Sequence, residues 1–131
     1  MMELKLEPIA KDDRGESWCI LFPDNREAIL IFTRKDYLRG GHSHNIPEIS
    51  FLLSGKIRYY KMFDGKETVT ELSAGQSNFN KAGEIHMALA LEDYWLLDWR
   101  FNAKIGEVIT TDYEPYRVRV REQLKKRGKL I

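Results

Sequence analysis

Apolar residues come in short runs along most of the chain, and each run is cut off by a turn signal. Residues 3–8 alternate charged side chains with Leu4 and Leu6, the period-two pattern of a short edge strand. Asp12-Asp13-Arg14-Gly15 turns the chain into a β-type run from Ser17 to Phe22, which Pro23-Asp24-Asn25 closes. Ala28 to Thr33 is continuously apolar, too short for a good helix, and reads as a buried strand. Arg39-Gly40-Gly41 then loosens the backbone. Ile49 to Leu53, Ser54-Gly55 and Lys56 to Phe63 look like a hairpin. Asp64-Gly65 is a tight turn, because Gly accepts the positive φ such turns need. Lys66 to Leu72, Gln76 to Asn80, His86 to Leu91 and Tyr94 to Phe101 follow as further runs, again separated by turns. This pattern predicts an all-β antiparallel sandwich or barrel. Only the end changes period. Tyr113, Tyr116, Val120 and Leu124 are spaced like one helix face over about 112–127, with Asp112 to cap it, Pro115 in its first turn and Gly128 to end it.

Composition narrows the class. The 131 residues make one domain, 1–131, with 43% hydrophobic and 31% charged residues, as in soluble globular proteins. A net charge of +1 gives no overall pull toward nucleic acid or a membrane. The basic cluster Arg117-Val118-Arg119-Val120-Arg121 and Lys125-Lys126-Arg127 reads as a solvated helix face. The lone Cys19 excludes an intramolecular disulfide and a CxxC zinc site, and reads as a small buried apolar residue. The start shows no apolar signal core, and no uncharged run reaches 18 residues, so a cytoplasmic location is expected.

The chemistry concentrates between Gly40 and Gly55. His42, His44 and Glu48 lie there, and His86, the remaining histidine, lies in Gly83-Glu84-Ile85-His86. Their even numbers would place the first three on one face of an unbroken strand, although Pro47 implies a bend. Three imidazoles and one carboxylate suit a divalent transition ion (iron, manganese, nickel, cobalt or zinc) and leave open positions, as catalytic rather than closed structural sites do. Ala88 and Ala90 would leave room beside His86. By parity Ser50, Arg58 and Tyr60 also line the pocket, but a one-residue slip at Ser54-Gly55 would turn Arg58 and Tyr60 outward. Glu84 reads as a solvated turn residue. Trp95, Leu97 and Trp99 share one strand face, while Asp98 and Arg100 share the other and can each pair with an opposite charge.

His42-x-His44-x3-Glu48-x6-Gly55 resembles the first motif of the cupin superfamily, and Gly75-x5-Lys81-x-Gly83-x2-His86 resembles the second. The chain departs from the pattern at Asp36, Lys81 and Ala90, where cupins have Gly, usually Pro, and often Asn. The resemblance implies a jelly-roll β-barrel, about residues 16–101, with His42, His44, Glu48 and His86 as metal ligands. It also implies a homodimer, for which Ala28 to Phe32 and Tyr94 to Phe101 are candidate contacts. Asp12-Asp13-Arg14-Gly15 and Arg39 to His44 are in addition similar to segments of cupin-fold enzymes that epimerise or ketoisomerise nucleotide-linked deoxysugars without metal. The expectation is therefore a metal-dependent enzyme for a small molecule, carrying out isomerisation or epimerisation of a sugar-like substrate, or dioxygenation. A non-catalytic ligand-binding or sensing cupin and a metal-independent nucleotide-sugar enzyme are the alternatives.

Overall fold

A computed structural model describes residues 3–104 and 106–128. In chain order the strands are β1 (Lys5–Asp12), β2 (Gly15–Leu21), β3 (Arg26–Thr33), β4 (Leu38–His44), β5 (Glu48–Ser54) and β6 (Lys56–Phe63). They continue as β7 (Lys66–Ser73), β8 (Ser77–Asn80), β9 (Ile85–Ala90), β10 (Tyr94–Lys104) and β11 (Thr110–Asp112), and helix α1 (Glu114–Lys126) ends the fold. The strands form two antiparallel sheets, one ordered β1-β2-β3-β10-β5-β8 and the other β11-β4-β9-β6-β7. This is the all-β antiparallel arrangement that the run-and-turn pattern predicted, and it matches the jelly roll that the family resemblance implied. Among the described residues no helix is long and apolar enough to cross a membrane.

Two apolar clusters hold the molecule together. The first lies between the sheets and consists of Leu52, Ile57, Tyr59, Ala88, Ala90, Tyr94 and Leu96. The second lies outside the five-stranded sheet, where Tyr116, Val120 and Leu124 of α1 cover Leu38, Tyr60, Met87 and Leu89. The predicted helix face is thus the buried one, except that Tyr113 sits half-exposed at the N-cap. Asp112 does not cap the helix. It closes β11 and pairs with Arg117 instead, because its strand pairing with β4 is already set.

The expected hairpin at Ser54-Gly55 does not form. β5 pairs with β10 and β8, whereas β6 pairs with β9 and β7, so Gly55 carries the chain from one sheet to the other. The ladder slips by one residue there, from Leu96↔Leu52 to Trp95↔Ser54. A one-residue slip exchanges the two faces of a strand. Ile57, Tyr59 and Lys61 consequently face inward, and Tyr60 packs outside against the helix.

The outer face of the six-stranded sheet is aromatic. Trp18 stacks on Trp95 with ring centroids 5.6 Å apart, and Phe22 meets Trp99 edge-on at 5.4 Å. Along this sheet β3 is mostly half-buried rather than fully buried.

Candidate metal centre

Local backbone geometry places the first two histidines. In the β4–β9 ladder Arg39 lies opposite Ala88, Gly40 opposite Met87 and His42 opposite His86, so Gly41 is an extra residue that forms a bulge. Gly40 and Gly41 have φ of +100° and +93°, where a side chain is strained. A Cβ on Gly40 would lie 2.6 Å from the His86 carbonyl oxygen. The bulge sets Arg39 and His42, odd and even, on the same inward face. Arg117 of α1 braces it, its Nε donating to the Gly40 carbonyl at 2.9 Å.

The chain breaks after His44, and Glu48 opens β5 in the opposite sheet. The three histidines and the glutamate therefore approach from both walls of the barrel rather than along one strand. The imidazoles of His42, His44 and His86 each present a nitrogen within 4.8 Å of the others. Their ring centroids are 4.9 to 5.3 Å apart. Glu48 is 1% exposed, with Oε1 3.2 Å from His86 Nε2 and Oε2 3.6 Å from His44 Nε2.

The donor set fits a divalent ion. His44 Nδ1 is held by Thr110 Oγ1 at 2.9 Å, and His86 Nδ1 donates to the Glu84 carbonyl at 3.2 Å. Each anchor fixes a ring and leaves Nε2 turned toward Glu48, the usual outer support of ligating histidines. Burial holds His42 down to about 3 and His44 down to about 4, so both imidazoles are neutral and can donate lone pairs at neutral pH. Burial pushes Glu48 upward, but the hydrogen bond from His86 and the charges of His86, His44 and Arg100 outweigh it and hold the carboxyl at about 2. For His86 burial pulls downward, and its hydrogen bond to Glu48 with that carboxylate's charge reverses the shift and raises it. A cation between these groups would take over the neutralising role that the His86 proton plays for Glu48.

Further polar groups complete the walls. Asn80 Nδ2 donates to Glu48 Oε1 at 3.2 Å, and Arg100 Nε donates to Oε2 at 3.3 Å. Arg100 also lies 3.5 Å from Glu27, so it pairs with acids, as its strand face allowed. Glu84 is not solvated. It is buried and pairs with Lys61 at 3.2 Å, because Lys61 faces inward on β6. Ser50 is fully buried, and its Oγ donates to Asp98 Oδ1 at 2.5 Å while accepting from the Tyr59 hydroxyl at 3.1 Å. Cys19 is half-buried and its thiol donates to Glu27 at 3.4 Å, with burial pushing its pKa up to about 11.

A cavity of about 580 Å³ opens onto His42 and His44, within the range of small-molecule sites. A recess of about 60 Å³ is lined by Arg39, His42, Tyr59, His86, Ala88 and Asp98, among others. Of the side chains expected there, Ala88 lines the recess and Ser50 stands behind Asp98. Arg58 and Tyr60 do not reach it. Arg58 lies 3.9 Å from Glu71 and Tyr60 lies under α1, both turned outward by the slip at Gly55. Sequence reasoning missed Arg39, Tyr59 and Asn80 as wall residues. It saw Asp98 only as a charge-pairing residue, although a carboxylate opposite three apolar side chains on β10 was a signal of an inner polar wall.

Burial, then the nearby Glu48 charge, pushes Asp98 up to about 7. A carboxyl raised above its unfolded value stabilises the fold fully below about pH 4, and that contribution is lost as pH rises toward 7. The metal-free protein is therefore expected to lose stability relative to Asp98→Asn across that window, by at most about 1.4 kcal/mol per pH unit. Thermal melts at stepped pH measure the difference. Parallel profiles for the two proteins would show that Asp98 ionises without cost.

No protein-family model and no curated protein sequence matches the chain. Solved structures do. A deletion mutant of Bacillus subtilis oxalate decarboxylase superposes with a TM-score of 0.71 at 14% identity, over 97% of this chain and 35% of that one. The capsular polysaccharide assembling protein CapF from Staphylococcus aureus gives 0.64 at 19%, over 85% and 34%. Hydroxypropylphosphonic acid epoxidase from S. wedmorenis gives 0.61 at 16%, over 74% and 56%. This chain spans about a third of the first two and just over half of the third. All three are cupin-fold proteins, and at these identities the likeness is one of fold.

Proposed function

We propose that this chain, a cupin by fold, is a divalent-metal-dependent enzyme that moves a proton on a small oxygen-rich substrate, as in isomerisation or epimerisation. The observation that carries the reading is the convergence of His42, His44, His86 and Glu48, two of which, His42 and His44, open onto a cavity of about 580 Å³. These four residues would hold the ion. Once bound, it would act as a Lewis acid on a substrate carbonyl or lower the pKa of a water. The oxalate decarboxylase and epoxidase neighbours, named for reactions on small oxygen-rich molecules, support the substrate size.

Asp98 favours proton transfer over dioxygenation. It shares the recess with His42 and His86, and Ser50, itself hydrogen-bonded by Tyr59, fixes its Oδ1. A carboxyl poised near neutrality can both take a proton from a carbon beside a carbonyl and return it. Ile31, Tyr94 and Leu96 line the same recess and give it an apolar side.

The test is to incubate metal-loaded protein with aldoses, ketoses and hydroxy acids in deuterated water. Deuterium should enter at the carbon next to the carbonyl, and chelation should stop it. Asp98→Asn should slow exchange by about 100-fold or more with metal content unchanged. Exchange that survives chelation would favour the metal-independent enzyme. Dioxygen uptake without exchange would favour dioxygenation, and ligand binding with neither would favour a sensor.

A further inference from the structure

The charges around the cavity do not balance. Its lining contains Arg14, Arg39, Arg100, Arg117 and Arg121, and Asp98 is the acid among them. Three of these cations are already neutralised. Arg14 pairs with Asp12 at 2.7 Å, Arg100 with Glu48 and Glu27, and Arg117 with Asp112 and Glu114.

Arg39 differs. Its Nε donates to Thr33 Oγ1 at 2.6 Å and its Nη2 to the Phe32 carbonyl at 3.3 Å, both neutral acceptors. Among the described residues it forms no ion pair with a carboxylate. It is half-buried, and burial pulls its pKa down, the mark of a cation short of solvent. A guanidinium keeps its charge nonetheless, so the positive charge stays at the cavity wall. Holding a desolvated charge without a counter-ion is unfavourable, and an incoming anion relieves it. The Gly41 bulge turns this cation onto the same face as His42, and both line the recess together with His86. The wall that carries His42 and His86 therefore also presents Arg39.

We propose that the substrate is a small hydroxy- or keto-carboxylic acid whose carboxylate is received by Arg39 while its neighbouring oxygen faces the histidine centre. This inference rests on the metal-site reading above for the role of the second oxygen, but the carboxylate contact stands on Arg39 alone. A planar carboxylate suits a guanidinium, which offers paired N–H donors in one plane. The recess is narrow and apolar on its Ile31 and Leu96 side, which favours a compact acid over a large phosphate ester.

The test titrates glycolate and L-malate into metal-loaded and metal-free protein by calorimetry, each beside its neutral amide. Metal per chain is measured in parallel by elemental analysis. The acids should bind about 10-fold or more tightly than the amides, a difference of about 1.4 kcal/mol. Arg39→Gln should weaken the acids by a similar factor and leave the amides and the metal content unchanged, and Arg39→Lys should restore part of the loss. Metal-free protein should bind the acids more weakly but with the same dependence on Arg39. Unchanged acid affinity in Arg39→Gln would overturn the proposal, as would equal affinity of wild type for acid and amide, a comparison that needs no variant. Tighter binding of inorganic phosphate than of any carboxylate would also overturn it. Wild type that takes up no metal, yet binds the acids through Arg39, would remove the metal reading and leave the carboxylate contact standing.

Discussion

His44→Ala is expected to lose most of its bound metal, while Arg58→Ala retains about one ion per chain. The imidazole of His44 is 5% exposed and its Nε2 faces the Glu48 carboxylate at 3.6 Å, so truncation removes a donor that no neighbour can replace. Arg58 lies on the outer face and meets Glu71, so its removal leaves the centre intact. Loss of an outer support of a metal ligand costs about 10–100-fold in affinity, and loss of the ligand itself should exceed that. Thr110→Val, which removes only the anchor at His44 Nδ1, should fall between the two variants. Elemental analysis after reconstitution with excess ion gives the stoichiometry, and competition with a chromogenic chelator gives the affinity. Equal metal content in His44→Ala and Arg58→Ala would show that the ion, if any, binds elsewhere. Because a ligand that binds only the folded state stabilises it, the melting temperature of wild type should rise with metal and that of His44→Ala should not.

Gly55→Ala is expected to be strongly destabilising. Gly55 has φ of +87°, and a Cβ there would sit 2.1 Å from the Asp93 carbonyl oxygen and 2.8 Å from Tyr94 Cα. The crossing is also pinned on its other side, where Leu91 and Glu92 donate to the Lys56 carbonyl at 2.9 and 3.2 Å. A left-handed conformation costs a non-glycine residue about 1–2 kcal/mol, and pushing packed backbone aside adds about 1–3 kcal/mol. Together these take about 2–5 kcal/mol from a fold whose whole stability is about 5–15 kcal/mol. Gly65 is the control. Its φ is +73° but no atom lies within 4 Å of the added methyl, so Gly65→Ala should cost only about 1–2 kcal/mol. Chemical denaturation of both variants measures the gap. If the two cost the same, the close approach at Asp93 is not what requires glycine.

Much of this architecture is legible in the sequence because its signals are local. Apolar runs and Gly-containing turns mark strand ends without knowledge of the partner strand, and two histidines one residue apart mark a ligand face. The spacing of Tyr116, Val120 and Leu124 marks a helix face in the same way. What local signals do not carry is which strand lies beside which. Ser54-Gly55 has the composition of a hairpin turn, and only the competing pairing of β5 with β10 and β6 with β9 makes it a crossing between sheets. The positions of Arg58 and Tyr60 depend on that choice, and so does the burial of Glu84 against Lys61. Arg39 was hidden for a related reason. Strict alternation assigns it to the face opposite His42, and the bulge that reverses this is visible in the sequence only as two consecutive glycines.

The brace at that bulge joins parts of the chain that are remote in sequence. Arg117 leaves the helix to hold the Gly40 carbonyl, and the helix in turn seals the outside of the strands that carry the histidines. The C-terminal helix and the strand that carries His42 are therefore joined directly, by this bond and by the packing beneath the helix. By thermodynamic reciprocity, whatever a ligand gains from a well-placed His42 is returned as tighter docking of the helix. The helix is in that sense a remote clamp on the strand that carries His42 and His44.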